Sequence, residues 1–134
     1  IYKVNPENFK EYGDHIPGIS SFNIKHLVKH GVKKKHIKKE KINSMSIKDL
    51  IVQYNLESFD LLYIDAEGYD GNIANDFLEK NKINSIIILE YIHINNKIFQ
   101  RLINNLELKN YKFFSINENL ICFPEKDLKF LIFN

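Results

Sequence analysis

The chain has 134 residues, of which 44% are hydrophobic and 27% charged, with a formal net charge of +2. This composition is that of a folded domain or of part of one, and it excludes a chain that is disordered throughout. The small net charge argues against a nucleic-acid partner, and no apolar run reaches the roughly 18 residues of a membrane helix. No signal-peptide pattern follows Ile1, so we expect a cytoplasmic protein without a membrane partner.

The first third of the chain is predicted to contain short elements joined by irregular segments. Tyr2-Lys3-Val4 indicates the end of a strand, and apolar spacing predicts a helix from Phe22 to His30. A serine of Ser20-Ser21 is the expected N-cap, and Gly31 is the expected left-handed residue after the helix. Ile37 to Ile42 is predicted to form a charged edge strand.

The rest of the chain alternates between strand and helix patterns and then ends in two strands. Helices are predicted over 46–54, 72–80 and 96–106, strands over 59–64, 85–89, 111–116 and 119–123, and an apolar segment of uncertain type over 128–133. The first two of these strands are joined through a helix, so they should be parallel and buried on both faces. The two residues between the last two strands predict an antiparallel hairpin. The first helix should bury Leu50 and Ile51.

Acidic residues follow both predicted parallel strands at the point where each strand ends. Asp65 and Glu67 come after the first strand, and Glu90 comes at the end of the second. Ligands of open parallel sheets bind beyond these ends, where carboxylates can accept a hydroxyl proton, hold a divalent cation or orient a sugar. Asp70 or Asn72 is expected to cap the next helix, and His93 is a candidate either for the site or for a structural hydrogen bond.

Other reactive residue types have simpler interpretations. Cys122 is the single cysteine and lies in an apolar run, which indicates a buried strand residue. His26 and His30 are spaced as metal ligands on a helix can be, but no His-Glu-x-x-His pattern is present, so surface histidines are expected. The basic run at 33–39 is interpreted as a solvated loop.

One segment is similar to a known signature. Phe59 to Asp70, with the sequence FDLLYIDAEGYD, resembles the strand followed by Asp-x-Glu-Gly of the FkbM-type methyltransferases. Other parts of the chain are similar to the family at less specific positions: a short helix at 45–51, a small-residue segment at 18–22, the next strand at 87–90, and a turn into a strand at 109–112, where Asn110 replaces the usual glycine.

The resemblance implies a fold and an activity. The fold is a partial Rossmann-like class I methyltransferase fold, α/β, with parallel strands and a terminal antiparallel hairpin. The activity is S-adenosyl-L-methionine-dependent methylation, of a hydroxyl on a saccharide or secondary metabolite. Asp65 and Glu67 are the implied catalytic residues, and Glu90, His93 and Tyr69 are the implied contacts to a small-molecule or glycan acceptor. By analogy with other O-methyltransferases, a divalent metal is a further candidate that the sequence does not establish.

The family's glycine-rich loop after its first strand, and the acid that holds the ribose, have no counterpart in this sequence. We therefore interpret residues 1–134 as the C-terminal part of a single methyltransferase domain, with the N-terminal half and most cofactor contacts upstream of Ile1. As an isolated fragment it is expected to be inactive, to bind the cofactor poorly and to self-associate.

Two alternatives remain open at this point. The first is a sugar- or nucleotide-sugar-handling α/β enzyme that uses Asp65, Glu67 and Asp70 around a metal. The second is a non-catalytic half-domain that serves only in assembly.

Overall fold

The structure, a computed structural model, describes residues 1–126 and is mixed α/β with two separate sheets. Two compact units are present, the first over Ile1–Ser44 and the second from Met45 onward. The segment predicted at 128–133 lies outside the described residues. The interpretation of the whole chain as part of one methyltransferase domain stays a prediction.

The first unit contains a small antiparallel sheet. Its elements are β1 (Tyr2–Val4), β2 (Ser20–Ser21), α1 (Ile24–Lys29) and β3 (Ile37–Lys39). Strand β1 is central and pairs with β2 on one side and β3 on the other, so Tyr2-Lys3-Val4 is a strand as predicted. A small apolar core around Val4 and Leu27 holds this unit together.

The helix of the first unit is shorter than predicted and has a different cap. The side chain of Asn23 accepts a hydrogen bond from the Lys25 amide at 3.0 Å, so asparagine and not serine is the N-cap. Ser21 belongs to β2, where its hydroxyl accepts from the Asn23 amide at 3.1 Å. Gly31 has the expected left-handed conformation, with φ of 85°.

The second unit contains a four-stranded sheet with order β4-β5-β7-β6. Its elements are α2 (Ile47–Gln53), β4 (Leu61–Ile64), α3 (Asp70–Lys80), β5 (Ile86–Glu90), α4 (Asn96–Leu108), β6 (Tyr111–Ile116) and β7 (Asn119–Pro124). Strands β4 and β5 are parallel, whereas β7 pairs antiparallel with both β5 and β6. The predicted parallel pair and the predicted antiparallel hairpin are both confirmed.

One face of this sheet carries the core. Ile64, Ile87 and Leu89 share that face by register and pack with Phe77 of α3 and Leu102 of α4. Both helices therefore cover the same side of the sheet. This packing follows because the apolar side chains of each helix recur every three or four residues and so lie on one face.

The opposite face corrects a prediction. Leu61 and Tyr63 of β4 are 51% and 61% exposed, so this strand is not buried on both faces. Alternate side chains of a strand point to opposite faces, and these two point away from the helix-covered side. Strand β4 also lies at the edge of the described sheet.

The second unit differs from the prediction in one detail of α2 and one of α3. Ser46 caps α2 as predicted, because its hydroxyl accepts from the Asp49 amide at 3.1 Å. Leu50, however, is 39% exposed, and only Ile51 contributes to the core from the predicted pair. Helix α3 begins at Asp70, two residues before its predicted start.

Candidate functional site

The carboxyl ends of β4 and β5 meet at one edge of the sheet. Ile64 pairs with Leu89 across the two parallel strands, which brings the residues that follow them to the same edge. A cavity of about 310 Å³ opens there and is lined by Tyr63, Ile64, Asp65, Glu67, Glu90, Glu118 and Asn119. Its volume is at the lower end of the roughly 300–1,000 Å³ of small-ligand pockets. The predicted concave surface shared by Asp65, Glu67 and Glu90 is confirmed.

The loop between β4 and α3 has an unusual backbone. Glu67 and Gly68 have φ of 49° and 90°, so two consecutive residues are in the left-handed region. The Asp70 side chain closes this loop: Oδ1 accepts from the Ala66 amide at 3.2 Å, and Oδ2 accepts from the Gly68 amide at 3.0 Å. Asp70 is 0% exposed.

This geometry corrects the role expected for Asp70. The N-cap of α3 is Tyr69, which makes no capping hydrogen bond through its side chain, and Asp70 is the first residue of the helix. Asp70 accepts hydrogen bonds from amides that precede the helix, so it does not cap the helix. Its negative charge still lies at the positive end of the helix dipole.

His93 lies beside the cavity and is not one of its lining residues. A Cβ atom on Gly68 would be 3.6 Å from the Cβ of His93, so the acidic loop packs closely on this histidine. His93 Nε2 is 3.8 Å from Glu90 Oε1. Tyr69 is 44% exposed and also lies outside the cavity lining. The acceptor contacts proposed for His93 and Tyr69 therefore stay predictions.

Glu90 has an altered acidity. Burial raises the pKa of its carboxyl, and the nearby charges of Asp70, Glu118 and Glu67 raise it further, whereas His93 lowers it. A carboxyl with a raised pKa in a cleft is a frequent property of residues that exchange protons with a ligand.

The tip of the β6–β7 hairpin contributes two cavity residues that the sequence analysis missed. Asn119 faces Glu90 across β5 and β7, and the backbone oxygen of Glu118 accepts from the Tyr91 amide at 3.0 Å. The hairpin itself was predicted, but its position beside β5 was not. Knowing that β7 lies between β5 and β6 would have placed Glu118 at the same edge as Glu90.

The other reactive residues do not extend this site. Cys122 is buried in β7, and burial raises the pKa of its thiol to about 12, as expected of an unreactive structural cysteine. The rings of His26 and His30 contact each other in a tilted arrangement, with centroids 4.6 Å apart and planes at 45°. His26 is buried, which corrects its expected surface position. Among residues 1–126, no group of three His, Cys, Asp or Glu side chains is arranged to hold a metal ion.

The cavity offers carboxylates and few other groups to the S-adenosyl-L-methionine that the sequence resemblance implies. Its carboxylates suit a partner with hydroxyl donors or positive charge, which fits an acceptor hydroxyl beside a sulfonium centre. The sequence holds no glycine-rich loop that would present amides to the rest of the cofactor.

No helix within the described part of the chain is long and apolar enough to span a membrane. Comparison of the chain with protein-family models, with curated proteins and with solved structures finds no match.

Proposed function

We propose that this chain forms the acceptor side of an S-adenosyl-L-methionine-dependent methyltransferase that methylates a hydroxyl of a saccharide or secondary metabolite. The observation that carries the proposal is the convergence of Asp65, Glu67 and Glu90 on one cavity at the ends of two parallel strands. The resemblance of the segment from Phe59 to Asp70 to the FkbM signature supplies the reaction class.

The topology supports this proposal. A parallel β4-α3-β5 unit is followed by α4 and by a hairpin whose second strand lies beside β5. This combination is the one expected in the second half of a class I methyltransferase sheet. Ligands of such sheets bind beyond the carboxyl ends of the strands, where the cavity lies.

The chemistry assigned to the cavity is deprotonation and alignment. When bound, the cofactor would supply an electrophilic methyl group, and the S–CH3 bond would break to leave a neutral thioether. Asp65 and Glu67 orient the acceptor hydroxyl, and one of their carboxylates takes its proton as the oxygen gains the methyl group. Glu90 borders the same space and, with its raised pKa, can share that proton in the acidic cluster. We further propose that most cofactor contacts come from polypeptide outside residues 1–134.

The test is a methyl-transfer assay on the gene's complete polypeptide, with labelled cofactor and a panel of saccharides and phenolic metabolites. Asp65→Asn should reduce turnover by roughly 10²–10⁴-fold, the usual cost of losing a general base. The matched control is Asp60→Asn, an exposed acid that precedes β4, which should leave turnover unchanged. Equal turnover in the wild type and Asp65→Asn would contradict the assigned role. Calorimetric binding of nucleotide sugars, without binding of the cofactor, would favour the sugar-handling alternative.

A further inference from the structure

We propose that Asp70 is the positioning residue of the candidate site. Its carboxylate accepts hydrogen bonds from the amides of Ala66 and Gly68 and so holds the loop that presents Asp65 and Glu67 to the cavity. For its catalytic consequence this inference rests on the proposed function, whereas its structural content can be tested independently.

The hydrogen bonds of Asp70 surround the strained part of the loop. The two amides that donate hydrogen bonds to Asp70 belong to Ala66 and Gly68, the residues immediately before and after Glu67. Glu67 is a non-glycine residue with φ of 49°, a conformation that persists only where surrounding contacts enforce it. One carboxylate that holds the amides on both sides of Glu67 provides that enforcement, and it leaves the Glu67 side chain at the cavity.

The environment of Asp70 indicates a specific role for its charge. A wholly buried carboxylate is costly unless hydrogen bonds compensate it. In the described residues, both of its oxygens are satisfied by loop amides and not by an ion pair with Lys or Arg. An apolar side chain or an amide at this position would remove one or both acceptors and leave buried N–H groups unsatisfied. Without these hydrogen bonds, the left-handed turn at Glu67 and Gly68 is no longer stabilised.

The position of Asp70 also couples the loop to Glu90. Asp70 is among the charges that raise the pKa of the Glu90 carboxyl, together with Glu118 and Glu67 and against His93. Replacing Asp70 by a neutral residue should therefore change both the loop and the acidity of its neighbour on β5. Replacing a residue that merely supports the fold should have no selective effect on the loop or on the pKa of Glu90.

The experiment compares Asp70→Asn and Asp70→Ala with the wild-type chain by amide hydrogen exchange in NMR. Both variants should exchange at Ala66 or Gly68 at least about tenfold faster, while Ile87 and Leu89 in the core of β5 keep their protection. Asp70→Asn retains one acceptor oxygen, so its loss should be larger at one of the two amides than at the other. The control is Asp49→Asn, which removes an exposed acid from the first turn of α2.

A second readout separates positioning from general support. The Glu90 titration midpoint should fall in Asp70→Asn and stay unchanged in Asp49→Asn. Unchanged protection at both loop amides would overturn the proposal. The proposal would also be overturned if the loop amides lost protection to the same extent as the core of β5, or if both variants unfolded. If the complete wild-type polypeptide transfers no methyl group, the proposed function fails, but these measurements still decide the role of Asp70.

Discussion

Glu90 Oε1 lies 3.8 Å from Nε2 of His93, which follows it by three residues in the chain. This histidine lowers the pKa of the Glu90 carboxyl, whereas burial, Asp70, Glu118 and Glu67 raise it. The net direction is upward, so Glu90 binds its proton more tightly in the folded state than in the unfolded chain. Its stabilising contribution is therefore present below the ordinary pKa of glutamate and is lost as the pH rises through the raised value.

Two substitutions should move the Glu90 titration in opposite directions. His93→Gln removes the neighbour that lowers the pKa, so the midpoint should rise. Glu118→Gln removes a repelling carboxylate, so the midpoint should fall. Carbon-detected NMR titration of the Glu90 carboxyl measures both shifts. Asp70 and Glu67 remain in both variants, so their contributions are constant. Shifts in the same direction would contradict the electrostatic description of this cluster.

Gly71→Ala should destabilise the second unit. A Cβ at this position would lie 2.8 Å from Cγ2 of Ile98 and 2.9 Å from Cγ2 of Ile94, closer than packed atoms tolerate. The overpacking should cost about 1–3 kcal/mol, which exceeds the gain of up to about 1 kcal/mol in helix propensity. Chemical denaturation measures the difference, with Asn72→Ala as the control for propensity in the same helix turn. An increase in stability for Gly71→Ala would show that the two isoleucines can move aside.

Leu61→Lys should reduce self-association of residues 1–134. Leu61 is 51% exposed on β4, which is an edge strand of the described sheet. A lysine on an edge strand opposes pairing with another chain. Light scattering across a concentration series should show a smaller average mass for this variant than for the wild type. Leu108→Lys is the control for adding the same charge on another element, because Leu108 is 80% exposed on α4 and is not part of β4. A monomeric wild-type chain would contradict the prediction.

The sequence predicted the second unit well because its strands are long apolar runs and its helices have clear apolar spacing. The parallel pair, the hairpin and the shared cavity of Asp65, Glu67 and Glu90 all follow from those patterns. The exposure of Leu50 and Leu61 did not follow. Hydrophobicity alone does not determine which face of a helix or strand packs against another element.

The details of the site depended on contacts between distant residues. Glu118 was missed because its place at the cavity depends on β7 lying beside β5, and sequence order does not give strand order in the sheet. Asp70 was assigned a capping role because aspartate at a helix start usually caps. Its actual partners, Ala66 and Gly68, depend on a left-handed turn at Glu67 that residue preferences do not favour.

Mass spectrometry of acceptor molecules incubated with the cofactor and the gene's complete polypeptide tests directly whether this cavity is a methyl-transfer site. The expected product has one hydroxyl hydrogen replaced by a methyl group. Glu67→Gln should form this product at least about tenfold more slowly, and the exposed control Glu57→Gln should form it at the wild-type rate. Absence of a methylated product with the wild type, or equal rates for the wild type and Glu67→Gln, would contradict the claim that this cavity is a methyl-transfer site.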